Sequence, residues 1–419
     1  MTKIKSTEIN KTFEKGPVRR SLFSNGAVSL FHQFKGMESA CANLYILAGS
    51  IFESPEEHGI AHVIEHMLFK EEKTNSVVRE MEKEGAQINA YTYKEYVCFE
   101  LECASTKLES FLPKFLSLFL NPVFNKKDLA LEKKVILQEL REDKDDHETE
   151  GLEYIYKKNF NAALGHSIGG SIKNVNSFTP KDLEQFYKKY YTPNRMVLSV
   201  VSGKKFVRLE EIFCSQFSST KNSRPFRIKN KLRFSKLEHV KTRLKRTMES
   251  SIVYYSFDGA SIFHKDYYNF MVLDEYLFGG MSSKFFVELR EKHGLVYGLG
   301  SALNSYYNQG NYIMIFNTHK TNVKKLQGKV EEVFSQFIED GIGEKEVESI
   351  KERVALGWRL GFDDMLERNE YLAELELLNM KDYSLSAQVK RLDEVSSKNM
   401  QSLVKKIFKS KYTKLVMSS

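Results

Sequence analysis

Apolar positions along the chain switch repeatedly between a period of two and a period near 3.6, the pattern of alternating strands and helices. Residues 20–34 form an apolar stretch broken by Ser24-Asn25-Gly26, a hairpin signal, and residues 43–48 follow as a short apolar strand. Ser54-Pro55-Glu56-Glu57 supplies a cap residue, a proline in the first turn and a glutamate three positions on. This predicts a helix that starts there and runs through Phe69. A helix is expected over 77–84, a strand pair over 88–103, and an amphipathic helix over 108–119 that stops near Asn121-Pro122. Residues 126–143 have the pattern of a long charged helix with an apolar stripe at Leu129, Val135, Ile136 and Leu140. A helix over 182–191, closed by Thr192-Pro193, leads into a buried strand at 196–201.

Segment 218–225 is polar, small and proline-terminated, the best linker in the chain, and all seven prolines lie at or before position 225. The strand and helix patterns then start again. A strand is expected at 251–257, helices at 267–278 and 283–292, a strand at 312–317, and three more helices in the last hundred residues. The two halves share length and α+β character. The expected fold is two homologous domains, 1–217 and 233–419, joined by a linker at 218–232, each a mixed sheet with helices packed on one face.

Composition narrows the function classes. In 419 residues, 42% are hydrophobic and 12% aromatic, enough to build large cores and to exclude a mostly disordered chain. Four cysteines (41, 98, 103 and 214) are too few for a disulfide scaffold of this length. No apolar run reaches the roughly 18 residues needed to span a bilayer, so no membrane segment is expected. The net charge of +8 is spread along the chain, and its densest run, 236–246, reads as a solvated strand and turn. A nucleic-acid-binding module would concentrate such charge on one face, so no nucleic-acid partner is expected. The first twenty residues lack an apolar signal core and carry Glu8 and Glu14, which makes the cytoplasm the expected location. No G-x-S-x-G elbow or phosphate-binding glycine loop is present.

The string Gly59-Ile60-Ala61-His62-Val63-Ile64-Glu65-His66-Met67-Leu68-Phe69 carries the chemistry. Residues four apart lie one above the other on a helix, so His62 and His66 can offer two imidazoles to one metal. Glu65 leans to the side of the same site, where a carboxylate can take a proton from water. Two histidines plus a third protein ligand suit tetrahedral Zn²⁺ with one position open. A random chain of this composition would show H-x-x-E-H roughly 0.03 times. The flanking Ile64, Leu68 and Phe69 press the helix into a core, where two unpartnered histidines would be costly. A third ligand is sought on another buried helix. Glu132 and Glu139, two turns apart on one face of the long charged helix, are candidates, although surface acids of a charged helix would show the same spacing.

H-x-x-E-H is the inverzincin signature, and the chain resembles the pitrilysin-type M16 metallopeptidases, especially the small subfamily of the mitochondrial processing peptidase and its bacterial relatives. The resemblance implies His62, His66 and Glu139 as zinc ligands, Glu65 as general base and Glu132 as a supporting acid. Asn89-Ala90-Tyr91-Thr92 resembles the family's edge strand that pairs with substrate, so Asn89, Ala90 and Tyr91 are implied as substrate contacts. Tyr190 to Met196 resembles the segment before the last strand of the first domain. Gly279 to Lys284 and Leu289 to Tyr297 match the second half, where Arg290 and Tyr297 are implied to hold the substrate backbone and the scissile carbonyl. The short alignment of His62 to Phe69 with Val272 to Gly279 puts apolar or aromatic residues at both ligand positions, as in a copy that kept the fold and lost the metal.

The resemblance thus implies a zinc endopeptidase with one zinc ion per chain, acting on peptides or precursor segments bound as an extended strand in a closed chamber. It implies a clamshell half that pairs as a homodimer or heterodimer. A catalytically silent partner subunit is the alternative; such members usually lose ligands that this chain retains.

Overall fold

The computed structural model describes residues 4–10, 16–160, 162–203, 208–216, 223–228, 241–380 and 382–419. The alternating pattern becomes two sheets in two compact units, a mixed fold of the expected class. The first unit gathers residues 1–142, 166–228 and 360–385, and the second gathers 143–165, 229–359 and 386–419.

Seven strands form the first sheet: β1 (Ile4–Asn10), β2 (Val18–Phe23), β3 (Val28–Gln33), β4 (Ser39–Ile46), β5 (Gln87–Thr92), β6 (Val97–Ala104) and β7 (Met196–Ser202). Their order is β1-β2-β3-β7-β4-β6-β5, with β3 and β7 parallel and the remaining neighbours antiparallel. The second sheet contains β8 (Lys241–Lys245), β9 (Ser250–Asp258), β10 (Gly298–Ser305), β11 (Gly310–His319) and β12 (Thr413–Ser418), ordered β10-β11-β9-β12-β8. Here β12 and β8 run parallel and the other neighbours antiparallel. Written from the other edge, β8-β12-β9-β11-β10 repeats β3-β7-β4-β6-β5 in order and in direction. The duplication suspected from pattern is therefore a repeat of sheet topology.

Strand β4 is buried along almost its whole length because both faces of its sheet are covered. Ala42, Leu44 and Ile46 enter one core with Ile60, Val63, Ile64, Met67 and Leu68 of the helix Ile60–Leu68 and with the helices Leu108–Ser117 and Pro180–Tyr190. Cys41 alternates to the other face, where it meets the helix Met365–Leu377. Asn369 of that helix donates from Nδ2 to Ser199 O of β7 at 2.9 Å. Helices thus cover a second face as well as the expected one. The second unit repeats the arrangement. Val253, Tyr255 and Phe257 of β9 face the main helical core, while Ile252 and Tyr254 face Ile155 of the helix His147–Asn159. Asn159 of that helix bonds Ser256 on β9 and accepts from Thr413 Oγ1 of β12 at 2.9 Å. Each covering helix comes from the opposite half of the sequence: 147–159 serves the second unit, and 365–377 serves the first.

Several expected elements change on folding. The helix expected from Ser54 begins at Ile60. Glu57 Oε2 accepts from the Ser54 amide at 2.9 Å, closing an isolated turn, and Gly59 at φ 98° breaks the backbone direction. Val135, expected in the apolar stripe of the long helix Lys126–Asp145, is exposed, and Glu132 occupies a buried position on that helix instead. The helix expected at 283–292 contains a π turn at Phe286–Glu291. Residues 218–222 and 229–232 of the expected linker and 236–240 of the basic run lie outside the described residues; 241–245 is β8. No helix among the described residues is long and apolar enough to cross a membrane.

Replacing Asn159 by alanine removes its hydrogen bonds to the buried Ser256 and Thr413 side chains. The expected loss is about 1–3 kcal/mol, read as a lower denaturant midpoint, and Asn369→Ala should act similarly in the first unit.

Candidate metal centre

The helix Ile60–Leu68 is amphipathic, with Ile60, Val63, Ile64, Met67 and Leu68 buried in the core and His62, Glu65 and His66 on the remaining, half-buried face. No side chain caps it in the ordinary position. Instead Glu53, buried, accepts from the amides of Gly59 and Ala61, one on each carboxylate oxygen at 2.9 Å. These are two of the first-turn donors that a helix leaves open, and the negative charge suits the positive end of the helix dipole. His166 Nε2 bonds the same carboxylate at 2.9 Å, and the His58 ring stacks on His166 at 3.6 Å. Gly59 also makes room for a neighbouring loop: a Cβ there would meet Gly169 O at 2.6 Å.

Held in this way, His62 Nε2 and His66 Nε2 stand 3.2 Å apart, and Glu139 Oε2 of the helix Lys126–Asp145 lies 3.5 Å from His66 Nε2. The ligating atoms of His62, His66 and Glu139 all fall within 4.8 Å of one another, the one such cluster among the described residues. Tetrahedral zinc with bonds of about 2.0–2.1 Å would separate its ligand atoms by about 3.3 Å, so the donor set fits a zinc ion. The Glu139 carboxylate is 41% exposed, which leaves the site open on that side.

Supporting groups fix one of the two imidazoles. His66 Nδ1 lies 3.2 Å from Glu132 Oε2, and Lys70 Nζ lies 2.8 Å from Glu132 Oε1. A partner on the far ring nitrogen sets which nitrogen faces a metal. His62 Nδ1 is buried with no hydrogen-bond partner among the described residues. Burial, and then the charge of His66, push His62 down to about 4, so it stays neutral and available as a ligand at ordinary pH.

Glu65 stands on the same helix face. Burial raises it above the usual carboxylate range; a hydrogen bond from Thr92 Oγ1 at 2.5 Å and the charge of His66 oppose that, and the Glu139 carboxylate adds to it. The outcome suits a proton acceptor beside a metal.

The remaining expected residues are placed as follows. Asn89, Ala90 and Tyr91 lie on β5, an edge strand of the first sheet among the described residues; Asn89 is exposed and Ala90 packs on the core. Arg290 and Tyr297 belong to the second unit, both exposed, Arg290 over the Phe286 ring at 5.0 Å. Glu53, Lys70 and His166 had no motif spacing to announce them; Thr92 closed the segment resembling the edge strand, but only folding pairs it with Glu65.

Comparison with known proteins gives a consistent family. The family model described as Insulinase (Peptidase family M16) matches residues 32–171, and Peptidase M16 inactive domain matches 177–354. An uncharacterized zinc protease of Bacillus subtilis is 27% identical over 96% of this chain and 98% of its own length. One from Rickettsia bellii is 24% identical over 95% and 96%. Among solved structures, a protease from Helicobacter pylori superposes with a TM-score of 0.86 at 17% identity, covering 96% of this chain and 99% of that one. A peptidase M16 inactive domain from Pseudomonas fluorescens gives 0.83 at 19% identity, covering 96% and 97%.

Two outcomes follow. Glu132→Ala should keep the three ligands yet weaken zinc affinity about 10–100-fold, measured by competition with a chromophoric chelator. His32 is also pushed down to about 4, by burial and then by Arg368. With His32 and His62 both held below their unfolded value, the unfolded chain binds more protons between pH 6.5 and about 4. The stability that these two neutral histidines contribute is lost as pH falls through that window, so replacing both by asparagine should flatten the fall in melting temperature of the metal-free protein between pH 6.5 and about 4.

Proposed function

Since the chain belongs to the M16 peptidase family, we propose that it is a zinc-dependent endopeptidase acting on peptides or unfolded precursor segments. The observation that carries this is the convergence of His62, His66 and Glu139 with the Glu65 carboxylate beside them. His62, His66 and Glu139 would hold the zinc, which when bound polarises the scissile carbonyl and acidifies water.

The chain's own groups do the rest. Glu65, raised by burial, takes the proton of the attacking water on a carboxylate oxygen and returns it to the leaving amine. Glu132, steadied by Lys70, keeps His66 turned with Nε2 toward the ligand cluster. The edge strand β5 offers backbone donors and acceptors to an extended peptide, with Asn89, Ala90 and Tyr91 nearest to it. Such pairing reads main chain more than side chains, which suits unfolded segments as substrates. Arg290 and Tyr297, exposed in the second unit, are the donors proposed to bind the substrate backbone and the carbonyl oxygen. A dimer of this chain, or one with a related chain, is the proposed working form, and the cytoplasm its location.

Glu65→Gln should retain about one zinc per chain and lose hydrolysis of an unfolded protein substrate by roughly 10²–10⁴-fold. A chelator should abolish wild-type cleavage, and added zinc should restore it. Wild-type rates in the glutamine variant would remove Glu65 from the role.

A further inference from the structure

Resting on that peptidase assignment, we propose that Thr92 is a positioning residue that sets the carboxylate of Glu65 and ties it to the edge strand. Thr92 Oγ1 donates to Glu65 Oε2 at 2.5 Å. The alternation of β5 explains why it can. Ile88 and Ala90 pack on the core that contains the helix Ile60–Leu68. Thr92, two residues further, turns to the same face at the last position of the strand. Its β-branched side chain has few rotamers, so the strand backbone fixes the direction of the hydroxyl.

Glu65 needs such a partner. Its side chain has three rotatable bonds, and the nearby Glu139 carboxylate repels it. One donor on Oε2 selects a single orientation and leaves Oε1 free to accept the proton of water. Because the donor belongs to β5, the strand proposed to pair with the peptide also orients the base. Substrate backbone and proton acceptor are thereby referenced to one rigid element, the condition under which small misplacements cost rate.

The test compares Thr92→Val, which keeps the shape and removes the hydroxyl, with Thr92→Ser, which keeps the hydroxyl. Crystal structures of the metal-free wild type and both variants should show Glu65 displaced in T92V and retained in T92S. With an internally quenched fluorescent peptide and zinc-loaded protein, T92V should lose about 10–100-fold in kcat with KM and zinc content unchanged. T92S should stay within about threefold of wild type. An unmoved Glu65 in T92V, an unchanged kcat, or a serine variant as impaired as valine overturns the proposal. Should zinc-loaded wild type cleave no peptide, the peptidase assignment falls, and the position of Glu65 in the three crystal structures alone decides the role of Thr92.

Discussion

The structure depends on holding three electron-rich atoms close together. Two imidazole nitrogens stand 3.2 Å apart, with a carboxylate oxygen 3.5 Å from one of them; an Nε2–H can bridge only one of these gaps, so the remaining lone pairs meet without a proton between them and the fold must hold them there. The surrounding fold supplies the restraint. Glu53 fastens the start of the histidine helix, Glu132 and Lys70 fix the His66 ring, and the apolar face of the helix presses against the sheet.

The anchoring at Glu53 is unusual in its economy. A helix cap normally comes from the residue just before the first turn. Here the acceptor sits six residues before Gly59 and serves two amides together with His166. Glu53 is buried, and burial raises it while the bonds to His166, Ala61 and Gly59 lower it. The glycine pair 169–170 lets a second segment close over this anchor, so the histidine helix is gripped from its N-terminus by residues more than a hundred positions apart.

Much of this was legible in the sequence. The period-two and 3.6 patterns placed most strands and helices, because burial on one face leaves a periodic trace. H-x-x-E-H located the site, because ligands one turn apart must share a helix. Glu132 and Glu139 were legible only by spacing and resemblance, since acids on a charged helix look alike until one is buried. The start of the histidine helix was misplaced, because Ser54-Pro55-Glu56-Glu57 does make a turn, and nothing local says that Gly59 interrupts it. His166 was invisible and Thr92 was legible only as the end of the edge-strand segment, because their partners are fixed by packing between distant segments. Arg290 and Tyr297 came from the resemblance alone, and their half of the chain repeats the strand order of the first without its ligands.

The exchange of covering helices bears on how the molecule is made. A ribosome that has released everything through β7 has supplied all the strands of the first sheet, yet the helix Met365–Leu377 that lines its second face is still unmade. At about 5–20 residues per second, that wait lasts on the order of ten to thirty seconds. During it, the nascent sheet shows water a face built for the interior, and a chaperone or the exit-tunnel surroundings must tolerate it. Gene fragments cut at the midpoint would carry the same deficit permanently, each sheet lacking the helix that covers one of its faces.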